Sequence, residues 1–262
     1  MDPKRSVLER FLERNSINSA RPLPIVHTTD AYITRKSIET GKLSISPCDR
    51  FEGENLLYFF VGRAAYKKNL PEEVEYWELP SCLVFDFQVK NAKRLYPFDS
   101  GAFKTKRYPN YVSMMDLDDF SMAPTSNNVE RAIGAFFQSN LNYYRLAARR
   151  RADFEYDHDV GVLDEEIKAL YKLIEDKSRR MDDRRFSIEL QFEESFMFSD
   201  RKPLLIIIPE TYLKNQKYVD KIYRTGETIE TYPVYPLRKD YYYYAIYEKL
   251  DSFYRESGFY EI

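Results

Sequence analysis

A chain of 262 residues with 44% hydrophobic and 31% charged side chains can bury a sizeable core, which excludes a disordered or low-complexity protein. A formal net charge of −2, from 40 Lys and Arg against 42 Asp and Glu, excludes a global basic field that would gather nucleic acid, so any basic surface is local. Cys48 and Cys82 are too few for a disulfide scaffold, and no apolar run approaches the roughly 20 residues that cross a bilayer.

In chain order, Asp2 and Pro3 read as cap and first-turn proline of an amphipathic helix that carries Val7, Leu8, Phe11 and Leu12 on one face and fades near Asn15. This start lacks the uncharged stretch of a secretory signal, so a cytoplasmic protein is expected. After a loop over 16–24, a short strand over 25–28 carries His27, one of only two histidines. Thr29 or Asp30 then caps a helix through Thr40, and Gly41 supplies its left-handed stop. A brief strand over 43–46 and a polar loop over 49–55 precede 56–61, a run apolar on both faces, as in a central strand covered on both sides. The next strand is 82–89, while 63–80 is charged and irregular and 91–124 carries no clear pattern.

From Asn127 or Asn128 a helix presents Val129, Ile133, Phe136 and Phe137, breaks near Ser139 and resumes through Ala147. A second, over 163–180, repeats Leu163, Ile167, Leu170, Tyr171 and Ile174, so 125–182 reads as a helical insertion. Strands follow at 185–192 and 203–208, then a helix or turn over 210–223, a strand around 228–234, and a closing helix over 240–257 that stops at Gly258. Short strands interleaved with helices define an α+β class, expected as a single domain over 1–262 with an N-terminal helix.

Within 185–192, strict alternation sets Phe186, Ile188, Leu190 and Phe192 against Ser187, Glu189 and Gln191, so a carboxylate, an amide and a hydroxyl share one face. An edge strand with a wet face has the same pattern. Arg63, in the segment 62–65, carries a donor fork that suits a phosphate. Arg145, Arg149, Arg150 and Arg151 form a basic stripe beside Tyr143 and Tyr144, the pairing that serves single-stranded nucleic acid, and Arg179, Arg180, Arg184 and Arg185 form a second group. Helix-end charges balanced by nearby acids read the same way. Asp153, Glu155, Asp157 and Asp159 around His158 lack calcium-loop spacing, so no metal site is expected. Phosphate-binding glycine loops, a Gly-x-Ser-x-Gly elbow and a kinase signature are all missing.

Taken together, the strand ending at His27-Thr28-Thr29, the strand with Tyr58 and the following Tyr66, and the strand with Glu189 resemble the diphtheria-toxin-like and poly(ADP-ribose)-polymerase-like branch of the ADP-ribosyltransferases. The resemblance spans about 24–192, and it departs from the family where Thr28 stands in place of the usual glycine. It implies two packed small β-sheets that form an NAD cleft flanked by helices. His27 would hold an NAD ribose and the backbone of Thr28 the carboxamide, with Thr28 or Thr29 adding a hydroxyl. Tyr58 or Tyr66 would stack on nicotinamide, and Glu189 would support glycosidic cleavage. The implied activity is NAD-dependent transfer to a macromolecule, with nucleic acid favoured over protein through Arg145, Arg149 and Arg150. The resemblance further implies a toxin or anti-phage defence effector, with an inhibitory antitoxin protein as a partner. Two alternatives stand beside it: a non-catalytic module that binds a nucleotide or a protein, and a metal-dependent nuclease-like toxin built on the arginines and the 153–159 acidic group.

Overall fold

The computed structural model describes residues 5–15, 21–68, 70–176, 183–235 and 241–260. The expected helix start at Asp2 and Pro3, the loop residues 16–20, the end of the long helix with Arg179 and Arg180, and position 240 lie outside them.

The first half of the chain forms α1 (Val7–Arg14), β1 (Ile25–Asp30), α2 (Ala31–Thr40), β2 (Lys42–Leu43), β3 (Ser46–Pro47), β4 (Asn55–Val61), β5 (Pro80–Phe85), β6 (Ala92–Tyr96), α3 (Ser100–Lys104), α4 (Asn110–Ser113) and α5 (Ser126–Phe137). Then come α6 (Asn140–Tyr144), α7 (Arg151–Asp157), α8 (Glu165–Glu175), β7 (Glu189–Phe192), β8 (Phe196–Met197), β9 (Leu205–Pro209), α9 (Gln216–Thr225), β10 (Thr228–Tyr232) and α10 (Tyr241–Glu256). The architecture is α+β. Local chemistry accounts for many boundaries: Ser6 Oγ accepts the Glu9 N–H at the start of α1, Thr125 Oγ1 accepts the Asn128 N–H at the start of α5, and α2 ends on Gly41 at φ 70°.

Eight strands form one sheet in the order β10-β9-β5-β1-β4-β7-β6, with β3 paired to β4; only β9 and β10 run parallel. β2 and β8 make a separate two-stranded ribbon. The two packed small sheets expected from the resemblance are therefore joined. The join is narrow, because β1 pairs with β4 only at Ile25↔Val61 and Val26↔Phe60, whereas it pairs with β5 along its whole length. Beyond Val26 the two strands part, and β3 takes β1's place along the first residues of β4.

Aromatic side chains fill the space on and around this sheet. Phe59 meets Phe85, Phe192 and Phe196 with ring centroids 4.6–5.7 Å apart. The fully buried Tyr143 satisfies its hydroxyl on backbone: Oη donates to Val61 O at 2.9 Å and accepts the Ile188 N–H at 3.0 Å, which ties the end of β4 to the entry of β7.

At the end of β4, Gly62 has φ +64°, and its N–H donates to Pro24 O at 2.7 Å. A Cβ there would lie 2.4 Å from Leu23 Cδ1 and 2.9 Å from Leu23 Cβ. Gly62→Ala is expected to cost about 2–4 kcal/mol, left-handed strain plus overpacking, read as a lower urea midpoint at unchanged m-value. A shift below about 0.5 kcal/mol would contradict this close approach.

Candidate active site

Where β1 leaves β4, a cleft of about 400 Å³ opens. Its walls are β1, the 46–50 segment, the start of α3 and the turn that precedes β7. His27, Thr28, Thr29, Tyr58, Tyr66 and Glu189 all line it. These residues come from three adjacent strands of the sheet and the segment after β4, and the volume lies in the range of small-molecule sites.

The parting of the strands frees backbone. Ala31 N–H bonds Leu79 O, and Ser81 Oγ donates to Thr29 O, so alternation turns residues 27, 29 and 31 toward β5. The N–H and C=O of Thr28 consequently face the side that β4 has vacated. His27 spans the gap, its Nδ1–H donating to Tyr58 O at 2.8 Å. That bond leaves Nε2 as an acceptor on the neutral ring. Burial lowers the His27 pKa, opposed by the Tyr58 bond, so the ring stays uncharged at neutral pH. Thr28 is 6% exposed, and its hydroxyl has no well-formed hydrogen bond, although it lies close enough to the Cys82 thiol to affect it.

Glu189 is 1% exposed. The alternation read from the sequence holds, but the polar face is covered by the start of α3 and is not wet. Glu189 Oε1 accepts Ser100 Oγ at 2.6 Å and Gln191 Nε2 at 2.7 Å, while Oε2 faces the Ser100 N–H at 3.3 Å. Burial, and then the charge of Asp99, push its pKa up to about 8 against the pull of the Ser100 and Gln191 hydrogen bonds. Asp99, which also lines the cleft, caps α3 by accepting the Ala102 N–H at 2.8 Å.

Two different tyrosines stand in the cleft. Tyr58 is half-buried, with Oη 2.8 Å from Cys48 Sγ, whereas Tyr66 is 45% exposed. The Tyr58 hydroxyl is raised by burial and then by the Cys48 bond, so it stays protonated. Cations at the lining come from Arg50, Arg107 and Arg184.

Other expected residues sit elsewhere. Arg63 does not reach the cleft: it is 3% exposed and donates to Asp183 Oδ2 at 2.9 and 3.2 Å and to the carbonyls of Tyr143 and Tyr144. The basic stripe is divided. Arg145 is exposed, Arg150 pairs with Asp153, and Arg149 is buried between His158 and Asp157; none lines the cleft. His158 is a packing histidine whose Nδ1–H donates to Asn15 Oδ1 at 2.9 Å and whose Nε2 accepts from Arg149. Among the described residues no group of three or more His, Cys, Asp or Glu side chains is arranged to hold a metal ion.

Sequence reasoning missed Asp99, Ser100, Arg50 and Arg107. They fall in segments without periodicity, and only the fold brings them to β7. Comparison of the chain with protein-family models, curated proteins and solved structures gives no match.

Proposed function

We propose that the protein is an NAD-dependent ADP-ribosyltransferase. The observation that carries this reading is the convergence of His27, Tyr58, Tyr66 and a buried, hydrogen-bonded Glu189 on one cleft at the parting of β1 and β4. In this reading the Thr28 backbone pairs with the nicotinamide carboxamide, and His27 Nε2 accepts a ribose hydroxyl. The ring is held between Tyr66 and Tyr58. Arg50 and Arg107 meet the pyrophosphate.

Ionised Glu189 then stabilises positive charge on the ribose as the C1′–N bond breaks and its electron pair leaves with nicotinamide. The acceptor attacks C1′ and gives up its proton to the carboxylate. Of the described helices none is long and apolar enough to cross a membrane, and the acceptor is taken as a macromolecule. Arg149 and Arg150 are engaged in ion pairs away from the cleft, so the preference for nucleic acid over protein rests on the sequence reading of that stripe alone. A toxin or defence role, with an inhibitory protein partner, rests on the resemblance alone.

The test is transfer of label from NAD into whole-cell extract by wild type and by His27→Ala, with the product split by nuclease and by protease. Wild-type label that falls about tenfold or more in the variant is expected. The digest that releases it names the acceptor class. A folded wild type that neither binds NAD nor transfers label in several extracts would overturn the reading.

A further inference from the structure

We propose that Arg94 is a positioning residue that acts through Gln191 on Glu189, and that Glu54 anchors this relay to the wall of the cleft. Its effect on turnover rests on the transferase reading; its effect on Glu189 does not.

The strand register places Arg94 on β6 opposite Gln191 on β7, and Gln191 shares its face with Glu189 two residues away. Arg94 Nη1 donates to Gln191 Oε1 at 3.0 Å. A guanidinium has only donors, so it selects the carbonyl end of the amide and turns the NH2 toward Glu189. That NH2 donates to Glu189 Oε1 at 2.7 Å and to Ser100 Oγ at 2.8 Å, and Ser100 Oγ donates in turn to the same carboxylate oxygen. With Oε1 taken by two donors and Oε2 accepting only the Ser100 N–H at 3.3 Å, Oε2 is the oxygen with room for a ligand.

An amide released from Arg94 can turn over and set its carbonyl against the carboxylate. Ionised Glu189 would be repelled by this arrangement, whereas a protonated carboxyl would donate to it. Loss of Arg94 therefore favours the form that cannot stabilise positive charge.

Arg94 is itself fixed. Glu54 grips it through both carboxylate oxygens at 2.6 and 2.7 Å, and its guanidinium lies 4.4 Å from the Phe51 ring centroid. Glu54 belongs to the turn that carries the cleft wall: its carbonyl accepts the Cys48 N–H at 2.9 Å, and its N–H donates to Phe51 O at 3.1 Å. Arg94 and Glu54 do not line the cleft, so they act only through Gln191 and the 46–54 segment.

The experiment follows the protonation of Glu189 by carboxyl 13C NMR, with the signal assigned by its loss in Glu189→Gln, in wild type, Arg94→Met, Gln191→Leu and the double variant. Each single change should raise the midpoint by about half a pH unit or more, and the double variant should go no higher than Gln191→Leu alone. For NAD turnover at neutral pH, kcat should fall about threefold or more in Arg94→Met with KM within about twofold, and Arg94→Lys should recover part of the loss. Arg94 is 23% exposed, so its variants keep the test alive if Gln191→Leu does not fold. Midpoints unchanged in folded variants, or equal shifts from Arg94→Met with and without Gln191, would overturn the relay. Shifted midpoints in a protein that never cleaves NAD would support the relay and overturn the transferase reading.

Discussion

Glu189→Gln is expected to lower NAD-dependent transfer by about 10²-fold or more and, in the same protein, to remove a loss of stability that develops as pH rises from 4.5 to about 8. On the transferase reading, the rate effect follows from deleting a buried carboxylate at the floor of the cleft that would face developing positive charge on the ribose. The stability effect follows from the proton. Burial and the neighbouring Asp99 raise the folded-state pKa of Glu189 from 4.5 to about 8, so between these values the folded chain holds a proton that the unfolded chain has released. Stability from this group is therefore complete below the unfolded value and declines as pH climbs toward 8. The span corresponds to roughly 3–5 kcal/mol at about 1.4 kcal/mol per pKa unit. Glutamine has no proton to lose. Thermal unfolding of both proteins at pH 5 and pH 9 should show wild type losing ground relative to the variant at the higher pH. An equal difference at both values would mean that Glu189 is not held protonated in the empty cleft. Transfer itself should rise with pH through the neutral range, because the transferase reading makes the ionised form the catalytic one.

The second large effect belongs to Asp183. This carboxylate is 2% exposed and receives Arg63, Lys67 Nζ at 2.7 Å and the Tyr247 hydroxyl. Asp183→Ala would leave Arg63 buried beneath Tyr144, Phe186 and Tyr247 without a counter-charge, and a loss of about 3–5 kcal/mol is expected. Lys67→Ala should cost less, because Lys67 is 26% exposed and its removal leaves the Arg63 pair intact. Urea unfolding of the two variants checks the order; a smaller loss for Asp183→Ala would rule out the buried pair as the centre of the cluster. Burial raises the Asp183 pKa, but the charges of Arg63 and Lys67 outweigh it and hold the carboxyl below 3.8. The stability it supplies is thus present above 3.8 and is lost as pH falls through the lower folded value. That acid window lies apart from the Glu189 window.

Much of this arrangement was legible in the sequence where periodicity was strong. The apolar run in β4, the alternation around Glu189, the Gly41 stop and the closing helix each followed from a local rule. His27, Tyr58 and Glu189 were legible as types at strand positions and Tyr66 just after a strand, and the fold brings them together. What escaped were effects of long-range contact. Arg63, in a charged and irregular segment, gives no sign that its partner is Asp183. Arg149 reads as one of a basic run, yet its side chain bonds His158, which packs on Phe11 of α1. Ser100 and Asp99 lie in a stretch without pattern, since a short cap-and-turn element needs no periodicity. The narrow β1–β4 join is equally invisible, because strand pairing is a property of two distant segments.

The order of strands in the sheet also governs when the cleft can exist. His27, Tyr58 and Tyr66 leave the ribosome first, whereas Glu189 emerges only after α3 to α8, and β9 must follow before β5 is covered on its outer side. A nascent chain carries both tyrosines through the 123 residues from Tyr66 to Glu189, of 262 in all, without the carboxylate, and the cleft is completed late and at once, when β7 closes against β4.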